Sequence, residues 1–334
     1  MDRIVKEARG GEASKIDARR PLVVLTGPTA AGKTALSVRL AKRIKGEIIS
    51  ADSMQVYRHM DIGSAKIRQE EMEGVPHHMI DILEPWEEFN VVVFQRMVNQ
   101  CLEEIYQRGN IPLLVGGTGF YIQAILYQID FTENEENLLI RQRLEQLAAE
   151  KGSSFLYERL CQVDAAAAQV IHPNNRKRVI RALEFYELTG QKISQHNETE
   201  RQKTAAYRSA YFVLTDDRAS LYQKIDRRVD QMLEEGLIQE VESLRKQGCH
   251  REMVSMQGLG YKEILDYLEG KLTREQAVYL IKRDTRHFAK RQLTWFRREK
   301  EVIWLSKKDY QYDEDSILEQ MLKRLSALDI WEQD

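Results

Sequence analysis

The sequence predicts an α/β protein: a parallel sheet with helices on both faces, interrupted by an all-helical insertion. Three observations carry this. Short continuous apolar runs are bounded by turn residues, a glycine-rich loop joins the first run to a helical pattern, and the middle of the chain shows helical periodicity with no strand. The runs at 22–26, 48–50, 111–115, 211–214 and 302–305 lack the polar alternation of a half-exposed strand, so they suit a sheet covered on both faces. Helical patterns over 35–44 and 91–106 lie between them. Ligands are therefore expected at the carboxyl ends of the strands.

The middle, from about 132 to 197, reads as helices over 138–150, 155–162 and 165–171. A further helix follows His172-Pro173-Asn174, with Asn174 as its expected N-cap, an apolar face of Val179, Ala182, Leu183 and Tyr186, and Gly190 as its stop. Such a stretch inside an α/β pattern suggests a lid or substrate arm. The expected organisation is a disordered polar tail over 1–20, a core built from 21–130 and 206–334, and a helical insertion over 131–205. Beyond the fourth strand, Ser220 is the expected cap of a long helix from 221 to about 235, broken at Gly236 and resumed to 246. Thr273-Arg274-Glu275-Gln276 reads as a capping box opening a basic helix.

Gly27-Pro28-Thr29-Ala30-Ala31-Gly32-Lys33-Thr34 is a complete G-x-x-x-x-G-K-T loop, in the strand–loop–helix context that the motif requires. Its backbone N–H groups can wrap phosphate oxygens at a helix N-terminus. Lys33 is placed to reach the outer phosphate, and the Thr34 hydroxyl to hold Mg²⁺. The fold expected is thus a P-loop nucleoside-triphosphate-hydrolase-like parallel sheet. An ordinary P-loop ATPase or GTPase ends a later strand in an Asp that helps hold Mg²⁺. Here the run 111–115 ends in Gly116-Gly117-Thr118-Gly119, without an acid, and no guanine-reading N-K-x-D segment is present. The acid stands instead at Asp52, after the second strand. By pattern alone it can be a helix cap or can hold a water on magnesium, with Met54, Gln55 and Tyr57 beside it as candidates to dock a nucleobase.

Arg228 falls on the stripe of Leu221, Ile225 and Met232 at i, i+4, i+7 and i+11, whereas Arg227 points away. A guanidinium on an apolar stripe needs an anion, either a structural carboxylate or a phosphate. Net charge is only −2, but eight Lys/Arg against two acids lie between 282 and 300, and Arg176-Lys177-Arg178 with Arg181 opens the helix of the insertion. Aromatic residues interleave the first cluster, which raises nucleic acid as a partner. The three cysteines have no pairing or C-x-x-C spacing, so buried thiols in a reducing cytoplasm are expected. His77-His78 reads as structural. No stretch approaches the roughly 18 apolar residues of a membrane span, and residues 1–20 lack the apolar core of a signal peptide. Nothing requires an obligate protein partner or more than a monomer.

Gly27 through Thr34, Asp52-Ser53-Met54-Gln55-Val56-Tyr57, Met60-Asp61-Ile62-Gly63-Ser64-Ala65-Lys66 and Pro76-His77-His78 occur together with Val115-Gly116-Gly117-Thr118-Gly119-Phe120-Tyr121. His172-Pro173-Asn174, Arg181-Ala182-Leu183-Glu184, Gln257 with Gly260-Tyr261, and Lys290-Arg291-Gln292-Leu293-Thr294-Trp295-Phe296-Arg297 follow in order. This series resembles the bacterial tRNA dimethylallyltransferase (isopentenyltransferase) family along nearly all of 21–305. The resemblance implies transfer of a dimethylallyl group from dimethylallyl diphosphate to N6 of the adenosine 3′ of the anticodon, in tRNAs reading codons that begin with U. It makes Asp52 the general base, Thr118 a neighbour of the reacting amine, and the loop with Lys33, Thr34, Arg228 and Mg²⁺ the holder of the diphosphate. Further, it implies contacts to tRNA from Ser53, Met54, Gln55, Arg141, Lys177, Arg178, Val179, Ile180, Arg181, Gln257, Tyr261, Lys290, Arg291 and Arg297. Two other readings are open on the residues alone. A small-molecule or nucleotide kinase with a helical lid would bind ATP in the same loop, and a non-catalytic RNA-binding module would use only the basic helices.

Overall fold

A computed structural model describes residues 19–131 and 136–332; the tail expected over 1–20 falls almost wholly outside them. Six parallel strands form one sheet in the order β3-β2-β4-β1-β5-β6. They are β1 (Pro21–Thr26), β2 (Gly46–Ser50), β3 (His77–His78), β4 (Ile111–Gly116), β5 (Arg208–Thr215) and β6 (Val302–Ser306). The five expected strands are present, one to three residues longer at their ends. The sixth, β3, is a two-residue edge pairing beside Ile48 and Ile49, too short to leave a periodic signal.

Central strands are buried on both faces, which is why their sequences are continuous apolar runs. On one face, α1 (Lys33–Ile44) and α13 (Glu314–Ala327) pack in a cluster with Val23, Leu25, Leu113 and Phe212. On the other lie α2 (Val91–Gln107), α3 (Gly119–Leu126), α9 (Arg218–Glu235), α10 (Leu237–Lys246), α11 (Tyr261–Leu268) and α12 (Arg274–Phe296), around Leu22, Val24, Ile49 and Leu114. The insertion contributes α4 (Glu136–Lys151), α5 (Ser153–Val163), α6 (Ala165–Val170), α7 (Arg176–Thr189) and α8 (Ile193–Gln202), with an apolar core of its own centred on Leu144, Leu156, Leu160 and Leu183. Among the described residues, no helix is long and apolar enough to cross a membrane.

Two caps differ from expectation. Asn175, not Asn174, caps α7: its side chain accepts from Arg178 N–H at 3.3 Å, while Asn174 N–H donates to His172. Asp217, not Ser220, caps α9, accepting from Ala219 and Ser220 N–H, and the Ser220 hydroxyl donates to Asp216. A carboxylate accepts more strongly than a hydroxyl and offsets the positive helix end. The break at Gly236 and the capping box of α12 stand as read. His77 and His78 are structural: His77 bonds the Val75 carbonyl and His78 the buried Glu47 carboxylate at 2.7 Å. Arg108, Asn110 and His78 surround Glu47, and the Arg108 guanidinium first of all holds its carboxyl down at about 2.

Candidate active site

At the carboxyl ends of β1, β2 and β4 the strands open into a cavity of about 610 Å³. The phosphate loop forms one wall, Asp52 to Gln55 a second, Gly116 to Thr118 a third, and α9 and α12 close it with Arg228 and Gln292. The loop leaves β1 through Gly27 at φ +149°, where a Cβ would lie 2.1 Å from the Leu214 carbonyl oxygen on β5. Only glycine allows that approach. β2 and β4 are kept together at this rim: Ala51 N–H donates to Val115 O at 2.7 Å, and Thr118 N–H to Ala51 O at 3.4 Å. Asp52 and Thr118 are thereby placed on one edge.

Lys33 Nζ curls over the loop, donating to the carbonyls of Gly27 and Pro28 at 3.0 and 2.9 Å. Burial first, and then the positive Arg228, lower its pKa to about 8, against the pull of Asp52. Arg228 makes no ion pair with a described residue; burial lowers its pKa, and Asp52 is the first charge that opposes this. Of the two partners open to it, a structural carboxylate is not in place, and an anion brought into the cavity fits. Asp52 Oδ1 accepts from Met54 N–H at 2.8 Å and caps no helix, which leaves its second oxygen outside that turn. A second cavity of about 520 Å³ shares Thr34, Arg228 and Met232 with the first, so the loop is open from two sides.

The Lys33 pKa has a measurable consequence. An ammonium that loses its proton near pH 8 is restored by a bound anion, so anion binding there takes up a proton. The affinity that Lys33 adds for inorganic diphosphate, read as the ratio to a Lys33→Met variant so that the ligand's own titrations cancel, is expected to hold below about pH 8 and to fall as pH rises above it. Calorimetry in buffers of different ionisation enthalpy checks this. An equal ratio across that range, without proton uptake, contradicts the assignment.

The other predicted residues divide into two groups. Arg228, Thr118, Ser53, Met54, Gln55 and Gln257 line the cavity with the loop residues Thr29, Ala30, Gly32, Lys33 and Thr34; Pro28 and Ala31 are buried beneath. The Gln55 amide is already engaged, accepting from Ser50 Oγ and donating toward the carbonyls of Ser64 and Ala65. Lys290, Arg291, Arg297 and Arg298 are exposed on α12 and the turn after it, and none is ion-paired with a described residue; Arg291 also reaches the cavity wall. By contrast Lys282, Arg283 and Arg286, in the first half of the helix, pair with Asp230, Asp284 and Asp226. On the insertion, Lys177 and Arg178 are exposed, while Arg181 and Arg141 both bond Glu184, which is 1% exposed, at 3.3 and 2.9 Å.

Four expectations are corrected. Tyr261 has no exposed surface: its hydroxyl donates to Glu240 at 2.7 Å, and Glu240 also accepts from the N–H groups of Asp61, Ile62 and Gly63, so the ring packs behind that turn. Tyr57 is likewise enclosed, with its hydroxyl on the Glu87 carbonyl. Val179 and Ile180, 1% and 4% exposed, face the core of the insertion, and the Val179 N–H is bonded to Asn175 O. Their side chains pack beneath α7, turned away from its exposed face. Phe89, Tyr121 and Gln292 are among the residues without an assigned role that join the cavity wall. Gln292 had a signal. On α12, Ile281, Thr285, Phe288 and Gln292 follow the same i, i+4, i+7, i+11 spacing that singled out Arg228, and Phe296 continues it at i+15.

Comparison with known proteins agrees with this geometry. The model of a family described as IPP transferase matches residues 55–299, and that of isopentenyl transferase matches 21–82. A tRNA dimethylallyltransferase of Lachnoclostridium phytofermentans is 60% identical over 93% of this chain and 99% of its own length. The Carboxydothermus hydrogenoformans protein of the same name is 55% identical over 85% and 91%. The crystal structure of a tRNA isopentenylpyrophosphate transferase from Bacillus halodurans superposes with a TM-score of 0.70 at 45% identity, covering 93% of this chain and 98% of that one. A eukaryotic dimethylallyltransferase captured acting on tRNA gives 0.71 at 30% identity over 86% and 74%. Matched by the family model over most of its length and by relatives 55–60% identical, the chain belongs to the tRNA dimethylallyltransferase family.

Proposed function

We propose that this enzyme transfers the dimethylallyl group of dimethylallyl diphosphate to N6 of the adenosine immediately 3′ of the anticodon, in tRNAs that read codons beginning with U, and releases diphosphate. The observation that carries this reading is the sharing of one cavity by a strand-end carboxylate, Asp52, and an anion cradle of Lys33, the loop amides and the unpaired Arg228. An ATPase-type acid at the end of β4 is not needed, because no water or γ-phosphate is activated.

The exocyclic amine of adenine is a weak nucleophile, its lone pair being delocalised into the ring. As the N6–C bond forms, Asp52 takes the amine proton, and the electron pair of the breaking C–O bond passes to the diphosphate. Lys33, Arg228 and the loop N–H groups meet the charge that develops on the leaving oxygen. Thr118 lies on the same rim, where its hydroxyl can hold the amine. The target base must leave its stack to enter, at a cost of a few kcal/mol. The two openings onto Thr34 and Arg228 let donor and RNA approach from different sides.

Magnesium fits the donor set in part. Among the described residues no group of three or more His, Cys, Asp or Glu is poised to hold a metal, so the Thr34 hydroxyl together with diphosphate oxygens would hold the ion. When bound, Mg²⁺ neutralises charge on the diphosphate. Lys177, Arg178 and Arg181 of the insertion, with Arg141, would grip the anticodon stem-loop, and Lys290, Arg291 and Arg297 the neighbouring backbone. A tRNA substrate suits a cytoplasmic enzyme.

Incorporation of labelled prenyl group into two anticodon stem-loops tests the function. Labelling is expected in the loop with adenosine after the anticodon and not in one carrying guanosine there; equal labelling contradicts the reading. Arg181→Ala tests the insertion. It is expected to raise KM for tRNA several-fold and to lower the salt slope of RNA binding by about one, with donor KM unchanged. Unaltered tRNA affinity removes α7 from the interface.

A further inference from the structure

Gln292 makes two hydrogen bonds to loops that are far apart in sequence. Its Oε1 accepts from Thr29 N–H of the phosphate loop at 3.0 Å, and its Nε2 donates to Gly117 O, next to Thr118, at 2.9 Å. The orientation of the amide is fixed by chemistry, since a backbone N–H can only donate and a carbonyl can only accept. The side chain is 5% exposed, and a Cβ on Gly117 would sit 2.2 Å from Nε2, so the close approach depends on glycine. Among side chains of this length glutamine presents a donor and an acceptor together without titrating, whereas glutamate does so only when protonated. On the same helix, Lys290 and Arg291 stand exposed beside it.

We infer that Gln292 is a positioning residue for the transfer reaction: it sets the distance between the loop that holds the leaving diphosphate and the loop that holds the acceptor amine. This rests on the function proposed above. Each substrate has its own contacts without Gln292, but in-line attack needs both in register, and a misplacement of about 1 Å can cost about 100-fold. The effect therefore belongs in kcat and not in binding.

Two variants test it. Gln292→Met keeps the length and loses both bonds; kcat is expected to fall about 10- to 100-fold with KM for donor and for tRNA each within about threefold. A kcat within about twofold of the parent overturns the inference, as does a loss expressed mainly in donor KM, which would make Gln292 a prop of the phosphate loop alone. Gln292→Glu supplies a readout that a merely structural role would not give. Ionised, it can accept from Thr29 but cannot donate to Gly117; protonated, it does both. Around it lie Lys33 and Arg228, Asp52 across the cavity, Arg291 on its own helix and Lys307 behind Gly32. The ratio of its kcat to that of the parent is expected to rise as pH falls. A flat ratio at the methionine level overturns the inference even if the methionine variant is unstable. A parent enzyme that fails to prenylate RNA at all would instead mark failure of the proposed function.

Discussion

Replacing Asp52 with asparagine is expected to lower kcat by about 10²- to 10⁴-fold, the range of a positioned general base. The amide keeps an oxygen at the place from which Oδ1 accepts the Met54 N–H, so the turn that carries Ser53 and Met54 is preserved. What disappears is the ability to take a proton. Binding of tRNA, measured with an unreactive donor analogue, should change by less than about twofold, because the proton transfer matters chiefly in the transition state. Single-turnover kinetics separates chemistry from product release. Turnover near that of the parent would remove Asp52 as the base and leave Thr118 or a water to be considered.

Arg228→Met is expected to lower kcat/KM for dimethylallyl diphosphate by about 10²- to 10³-fold, the loss seen when one donor to a developing anion is removed, about 2.7–4 kcal/mol. The guanidinium faces the cavity without a direct ion pair to any described carboxylate, Asp52 acting on it only through space, and burial works against its charge. That arrangement costs folding free energy in the free protein. The methionine variant should therefore melt at the same temperature as the parent or higher while losing activity. Arg228→Lys keeps the charge but not the planar fork and should recover only part of the rate. A variant that loses stability with activity, and keeps normal kinetics in its folded fraction, would make Arg228 a structural residue.

How far the sequence could be read followed from the distance over which each feature is determined. Buried strands announce themselves because both faces need apolar side chains; β3, two residues long, has no period to show. The phosphate loop is contiguous, and its geometry follows from the order of its residues. Arg228 was visible because a charge on an apolar helical stripe contradicts its surroundings. Gln292 carried the same contradiction more quietly, since an uncharged amide on a stripe is easily passed over. Its partners, Thr29 and Gly117, lie far away in the chain, and no local pattern connects them. Tyr261 shows the opposite failure. The resemblance implies a contact to tRNA at Tyr261, but the ring is enclosed and Glu240 takes its hydroxyl from inside. Adjacent asparagines and an Asp–Ser competition misplaced two helix caps by one and three residues, for either residue type can serve and only the turn geometry chooses between them.

The most direct test gives the purified protein Mg²⁺ and an unmodified tRNA with adenosine after its anticodon, and supplies dimethylallyl diphosphate or ATP in parallel reactions. After digestion, mass spectrometry of the nucleosides is expected to find a five-carbon gain on adenosine with the prenyl donor alone. ADP formation from ATP, with no prenylated adenosine in either reaction, would contradict the account and make the phosphate loop that of a kinase.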